Sequence, residues 1–224
     1  MPFKDRSGAG RRLAHALRAY KDQNPVVLAL PRGGVLVAAE VASALSAPLD
    51  LILVRKLGTA LQPELAIGAV VDGGQPIIVR NDDLIRLVGV SEAELQTICD
   101  NELAEIDRRR QRYLDDRARV EITGRLAIVI DDGAATGATA RAALRATRMR
   151  KPRMLVFAVP VASTDALAAL RGDAEDIICL ENYRRFAAVG QFYQDFAQVT
   201  DQQVIATLAR FPPSAPPAKT TPAA

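Results

Sequence analysis

Two adjacent carboxylates, Asp131 and Asp132, precede a run of small and hydroxylated residues, Gly133-Ala134-Ala135-Thr136-Gly137-Ala138-Thr139. Small residues let backbone amides close around an oxyanion, and the Thr136 and Thr139 hydroxyls add donors, a combination suited to a phosphomonoester. Two carboxylates would repel phosphate at close range. They are matched instead to neighbouring hydroxyls carried by the same ligand. Phosphate at one end and a vicinal diol at the other describe ribose 5-phosphate. The plainer reading is an Asp-Asp-Gly turn ahead of an ordinary helix cap. A Gly-Lys-Ser/Thr nucleotide loop fits worse, because Gly137-Ala138-Thr139 carries no lysine. Aspartyl-phosphate hydrolases fit worse too, since their carboxylates stand one residue apart.

These groups need elements to hold them. The aliphatic run Leu126 to Ile130 predicts a buried strand that delivers the acids, and ARAALRATRMR predicts a helix with Thr139 as its N-cap. The loop then ends at unpaired N–H groups and the positive end of a helix dipole. A second strand-loop-helix unit runs from Val26 to Leu30, through Pro31-Arg32-Gly33-Gly34, into a helix from Val35 to about Leu45. Its loop suits an anion as well, although Arg32 in a solvated turn is an equal reading. A third strand, Leu49 to Val54, brings Arg55 and Lys56 to its carboxyl end, where open α/β sheets bind ligands; a solvated pair of cations is the competing reading.

Ala127 to Thr139 contains an aliphatic strand, two acids, four small or aliphatic residues ending in Thr, then Gly-Xaa-Thr. This resembles the phosphoribosyl diphosphate (PRPP) signature of the type I phosphoribosyltransferases. The resemblance implies that Asp131 and Asp132 contact the ribose hydroxyls and that Gly133, Ala134, Ala135, Thr136, Gly137, Ala138 and Thr139 cradle the 5-phosphate. It makes Pro31 to Gly34 the pyrophosphate loop, with Arg32 as a cation and Gly33 and Gly34 offering amides; Arg55 and Lys56 also attend the diphosphate. Mg²⁺ is expected to be held mainly by PRPP and water, with no protein metal site. A mobile loop, here Leu57 to Leu65, is expected to close over the reaction and exclude water. Purine-salvage members often carry Asp where this chain has Ala135, which argues against that substrate class. The opening Phe3-Lys4-Asp5-Arg6, with Ala9-Gly10 and Leu13-Ala14, is similar to an uncharacterised branch of these transferases.

The implied activity is transfer of the 5-phosphoribosyl group to a base or amine with release of pyrophosphate. No residue stands out as general base. The alternative is a non-enzymatic PRPP- or nucleotide-sensing regulator of the same fold, which would add a basic surface for nucleic acid.

The remaining chain predicts an α/β fold: a doubly wound, mostly parallel sheet of about five strands flanked by helices, with right-handed crossovers. Further strands are expected at Met154 to Pro160 and Asp176 to Leu180, and a helix capped by Ser163 runs to Leu170. Ala66 to Asp72 and Gln75 to Val79 read as a β-hairpin. Residues 81–117 read as a helical insertion with a capping-box spacing at Ser91 and Glu94. Its Arg108, Arg109, Arg110 and Arg112 are interleaved with Glu102, Glu105, Asp107, Asp115 and Asp116, which favours i,i+4 pairing on a solvated helix over a nucleic-acid face. A domain over 1–211, a hood built from the N-terminal segment and about 181–211, and a disordered Pro- and Ala-rich tail over 212–224 complete the expectation. Phe192, Tyr193 and Phe196 either line an acceptor pocket or pack the C-terminal segment onto the sheet.

At 224 residues and 49% hydrophobic, with no Trp, the chain supports one substantial domain with a core of Val, Leu, Ile and Ala. A net charge of +3 fits a small polyanion and does not require nucleic acid. Cys99 and Cys179 stand far apart, as expected of reduced, buried thiols, and His15 lies off the apolar stripe of a helix over Ala9 to Tyr20. The absence of a signal-like or membrane-spanning run gives a cytoplasmic expectation. An exposed apolar face on that first helix would invite a homodimer.

Overall fold

The structure is a computed structural model and describes residues 3–58, 66–72, 77–115 and 117–212. Five parallel strands form the central sheet in the order β2-β1-β6-β7-β8: Leu49–Leu51, Pro25–Ala29, Leu126–Ile130, Met154–Ser163 and Asp176–Tyr183. Every residue of β1 and β6 is buried, as parallel strands covered on both faces must be. Val27, Ala29, Ile128 and Ile130 face the side covered by α1 (Arg6–Leu17) and α2 (Gly33–Leu45), together with α4 (Glu92–Leu114) and α7 (Asp201–Ala209). Val26, Leu28 and Val129 face the other side, with α5 (Ala138–Met149) and α6 (Thr164–Leu170). The sheet is therefore doubly wound.

The single strand expected over Leu49 to Val54 divides. β2 ends at Leu51, and the chain leaves the central sheet for β3 (Val54–Gly58), the edge of a separate antiparallel sheet with β4 (Ala66–Val71) and β5 (Ile77–Arg80). Val54 pairs with Val71, so the expected hairpin is two strands of a three-stranded sheet. Residues 59–65 of the expected closing loop, the Gly73-Gly74 turn and the tail from 213 lie outside the described residues. After β5 come α3 (Asp82–Val88), stopped by Gly89 at φ 76°, and then α4, whose N-cap Ser91 accepts from the Glu94 amide.

The first helix starts earlier than its periodicity suggested, because the Asp5 side chain accepts from the Gly8 amide and caps it. Ala9, Leu13, Ala14 and Leu17 are buried, and α1 crosses α2 so closely that a Cβ on Gly10 would lie 2.8 Å from the Val37 carbonyl oxygen. The apolar face expected to invite a second copy is thus covered by the chain itself. His15 is exposed. α5 likewise begins two residues early, with Gly137 at φ 72° as N-cap and Thr139 inside the first turn. Among the described residues no helix is long and apolar enough to cross a membrane.

Candidate functional site

Asp131 and Asp132 leave the carboxyl end of β6, at the centre of the sheet between β1 and β7. The loop after them is clamped to the end of β7. The Ala134 amide donates to the Val161 carbonyl at 3.0 Å, the Ser163 amide returns to the Ala134 carbonyl at 2.9 Å, and the Ser163 hydroxyl donates to the Ala135 carbonyl at 2.6 Å. Ser163 Oγ also caps α6 by accepting from Ala166, as expected. Ala135 and Thr136 remain exposed at the crest, and Thr139 is half-buried.

The second glycine loop presses against the acids. A Cβ on Gly33 would stand 1.8 Å from Asp132 Oδ2, and one on Gly34 would stand 2.8 Å from the Ile130 carbonyl oxygen. Only glycine lets this backbone come so near the carboxylates. The peptide between Pro31 and Arg32 is cis. The acid pair and the Pro31–Gly34 loop thus meet at the carboxyl ends of β1 and β6.

A short network holds the acid pair. Asp131 Oδ1 accepts from the Asp132 amide at 2.8 Å. Asp132 Oδ2 accepts from Arg6 Nε at 2.7 Å, in a pair whose side chains are only 9% and 14% exposed. The Tyr193 hydroxyl donates to the Asp132 carbonyl at 2.6 Å. Arg6 is fixed in turn by a bond to the Ala197 carbonyl at 2.8 Å and by the Phe196 ring, 3.8 Å from its guanidinium carbon. Burial, and then the neighbouring Asp132 charge, push the Asp131 carboxyl well above the usual carboxylate range. Burial also raises the Tyr193 phenol, with Asp132 adding to the effect, so it acts as a donor and does not ionise.

Arg6 was not a candidate from the sequence, and Tyr193 was expected only to line an acceptor pocket or to pack the C-terminal segment, not to hold the acid pair. The signal for Arg6 was present in the opening Phe3-Lys4-Asp5-Arg6, but only chain topology turns it toward β6. The aromatic-rich segment takes its packing role. Phe3 bridges to Tyr193, Phe192 lies 4.6 Å from the Tyr183 ring and 4.8 Å from that of Phe186, and Tyr193 is buried.

Two cations fall elsewhere than expected. Arg55 lies within β3 and donates its Nε to Glu102 of α4 at 2.5 Å, and Lys56 is exposed on the same strand. Neither stands at the end of a parallel strand, because the chain turns away after β2. Arg32 reaches toward Asp201, 3.6 Å away, and lines a cavity of about 360 Å³. A larger cleft of about 680 Å³ runs along Thr136, Ala138 and Arg141 on one side and Gly68, Arg80 and Asn81 of the small sheet on the other.

Among the described residues no three His, Cys, Asp or Glu side chains gather to hold a metal. Cys99 and Cys179 are free thiols, raised by burial, Cys179 to about 11, which makes them poor nucleophiles.

Residues 6–196 match the family model of the phosphoribosyl transferase domain. Two Mycobacterium tuberculosis proteins, of strains H37Rv and CDC 1551, whose names assign them provisionally to the phosphoribosyl transferases, are each 45% identical over 208 residues. The alignment covers 93% of this chain and 46% of theirs, so the chain spans about half the length of the curated relatives it matches. The crystal structure of TT1426 from Thermus thermophilus is similar at 40% identity and a TM-score of 0.83, covering 95% of this chain and 100% of that one.

Proposed function

Because this chain belongs to the phosphoribosyl transferase domain family, we propose that it binds Mg²⁺-PRPP and transfers the 5-phosphoribosyl group to a base or amine, releasing pyrophosphate. The observation that carries the reading is the meeting of two loops: the acid pair of β6 lies against Gly33 and Gly34, and the clamped loop from Gly133 to Thr139 begins at the same point.

In this reading the carboxylates of Asp131 and Asp132 accept hydrogen bonds from the ribose hydroxyls, while Thr136, Thr139 and the amides between them hold the 5-phosphate at the start of α5. Gly33 and Gly34 offer amides to the diphosphate. The acceptor's lone pair forms the new bond to C1 as the C1–O bond breaks, and that electron pair leaves with pyrophosphate. Positive charge grows on the ring in the transition state, and the two fixed carboxylates offset it. Arg6 and Tyr193 keep Asp132 in place so that this field is set before the substrate arrives. Magnesium would enter with the diphosphate and would supply charge neutralisation to the leaving group. Ala135 places no carboxylate beside an acceptor ring, which disfavours purines.

The test is a screen of bases and amines for PRPP-dependent pyrophosphate release. Release with one class of acceptor supports the transferase. PRPP binding without release for any acceptor, joined to PRPP-sensitive shifts on nucleic acid, would turn the reading to a sensor.

A further inference from the structure

The 680 Å³ cleft between α5 and the small sheet has no part in the transfer described above. One of its walls is a single face of α5, Ala138, Arg141, Ala142 and Arg145, which runs for about 10 Å along the helix axis. Gly68, Ala69 and Val79 of β4 and β5 stand opposite. Small side chains on both walls leave apolar surface between the arginines, and the volume suits a nucleoside-sized group.

The arginines of the cleft are not alike. Arg145 Nε donates to Asp173 at 2.9 Å, Arg80 is held by Asp82 at 3.0 Å and Glu92 at 2.6 Å, and Arg86 by Asp83 at 2.5 Å. Arg141 has no matching acid of its own. Asp173 is 3.9 Å from its Nε and already bound to Arg145, and among the described residues that buried Nε makes no hydrogen bond. Arg141 is also the fourth residue of a helix whose first turn carries no acid, so its charge stands near the positive end of the helix dipole. A cation placed in this way is stabilised by an anion brought from outside.

Position says how that anion is carried. Thr136 and Ala138 line the cleft, and both belong to the loop that holds the 5-phosphate in the PRPP reading; Arg141 follows one turn further along α5. A phosphoryl group joined to that 5-phosphate would meet Arg141, and whatever it carried would lie against the small residues beyond. The anomeric carbon is at the other end of the sugar, so the cleft is separate from the place where the acceptor attacks.

We propose that the chain also binds ribose 5-phosphate extended through a pyrophosphate link, as in ADP-ribose and the dinucleotides, with the second phosphoryl group on Arg141 and the attached nucleoside in the cleft. The inference rests on the PRPP reading and adds a class of ligand that competes with PRPP for the acid pair. Both halves of such a molecule carry a diol and a 5-phosphate, so either ribose can take the acids and send the link toward Arg141.

The experiment is calorimetric titration of the full chain with ribose 5-phosphate and, separately, with ADP-ribose. ADP-ribose is expected to bind about tenfold or more tightly than ribose 5-phosphate, as an added charge-assisted contact implies, and to be displaced by PRPP. Arg141→Gln should remove most of that preference and leave ribose 5-phosphate affinity unchanged. Arg141→Lys keeps the charge and should lie between; it also serves as the readout if the Gln variant fails to fold. Equal affinity for the two ligands in the unsubstituted chain, a preference that both Arg141 variants retain in full, or ADP-ribose that PRPP does not displace overturns the inference, while ribose 5-phosphate binding leaves the PRPP reading standing. Failure of the unsubstituted chain to bind ribose 5-phosphate, ADP-ribose or PRPP overturns both.

Discussion

The Arg6 guanidinium, in the first turn of α1, donates Nε–H to Asp132 Oδ2 at 2.7 Å, joining residues 126 positions apart in the chain. With the Ala197 carbonyl and the Phe196 ring on its other sides, Arg6 ties the N-terminal segment, the C-terminal hood and the central acid pair into one unit.

Arg6→Ala should therefore leave a nearly buried carboxylate beside a second one, and breaking such a pair costs about 3–5 kcal/mol. Urea unfolding will measure it. The double variant Arg6→Ala/Asp132→Asn should recover much of the loss, because the orphaned charge is gone; fully additive losses would show that the pair is not coupled.

Gly33→Ala should cost binding more than folding elsewhere would suggest. Its new Cβ would overlap Asp132 Oδ2 at 1.8 Å, so either the loop or the carboxylate must shift, whereas a Cβ on Gly172 meets nothing within 4 Å. PRPP affinity should fall by about tenfold or more in the first variant, in line with misplacement of a positioning group by an ångström, and stay unchanged in Gly172→Ala.

Asp131 carries a stability cost with a definite sign. Its carboxyl is raised in the folded protein by burial and by Asp132, so above the ordinary carboxylate pKa the unfolded chain releases a proton that the folded one retains. Stability falls as pH climbs from about 4 toward the raised value. Asp131→Asn should be neutral below about pH 4 and stabilising at neutral pH, by about 2–4 °C in Tm for each kcal/mol relieved. A gain at acid pH that disappears at neutral pH would contradict this.

The same raised carboxyl links ligand binding to pH. Ribose hydroxyls donating to the carboxylates favour their ionised form, so PRPP binding should release a proton and tighten as pH rises through the raised pKa. Calorimetry in buffers of differing ionisation enthalpy reads this release directly. Proton uptake would mean that the diol meets a neutral acid.

What could be read from the chain was local. The strand Leu126 to Ile130, the acids and the small-residue loop are contiguous, and their order alone predicted the strand and the turn that follows it. The break after Leu51 had no such signal. Leu49 to Val54 is almost uniformly apolar, and only the pairing of Val54 with Val71 draws its end into a different sheet, taking Arg55 and Lys56 with it. Arg6, Tyr193 and Asp201 were hidden for a related reason: their partners Asp132, Arg32 and Tyr113 lie far away in sequence, and a polar residue on a helix or in a hood has no local mark of what it will face. The α4 arginines illustrate the limit well, since i,i+3 and i,i+4 pairing with Glu105 is present as expected while the same side chains also wall a cavity.

The account stands most directly on PRPP titration of the Asp131→Asn/Asp132→Asn variant beside the unsubstituted chain, with circular dichroism confirming that both are folded. Loss of both carboxylates should weaken binding by about a hundredfold or more, as removal of two charge-assisted hydrogen-bond acceptors implies. Equal affinity in the two folded proteins would remove the acid pair from the site and contradict the account.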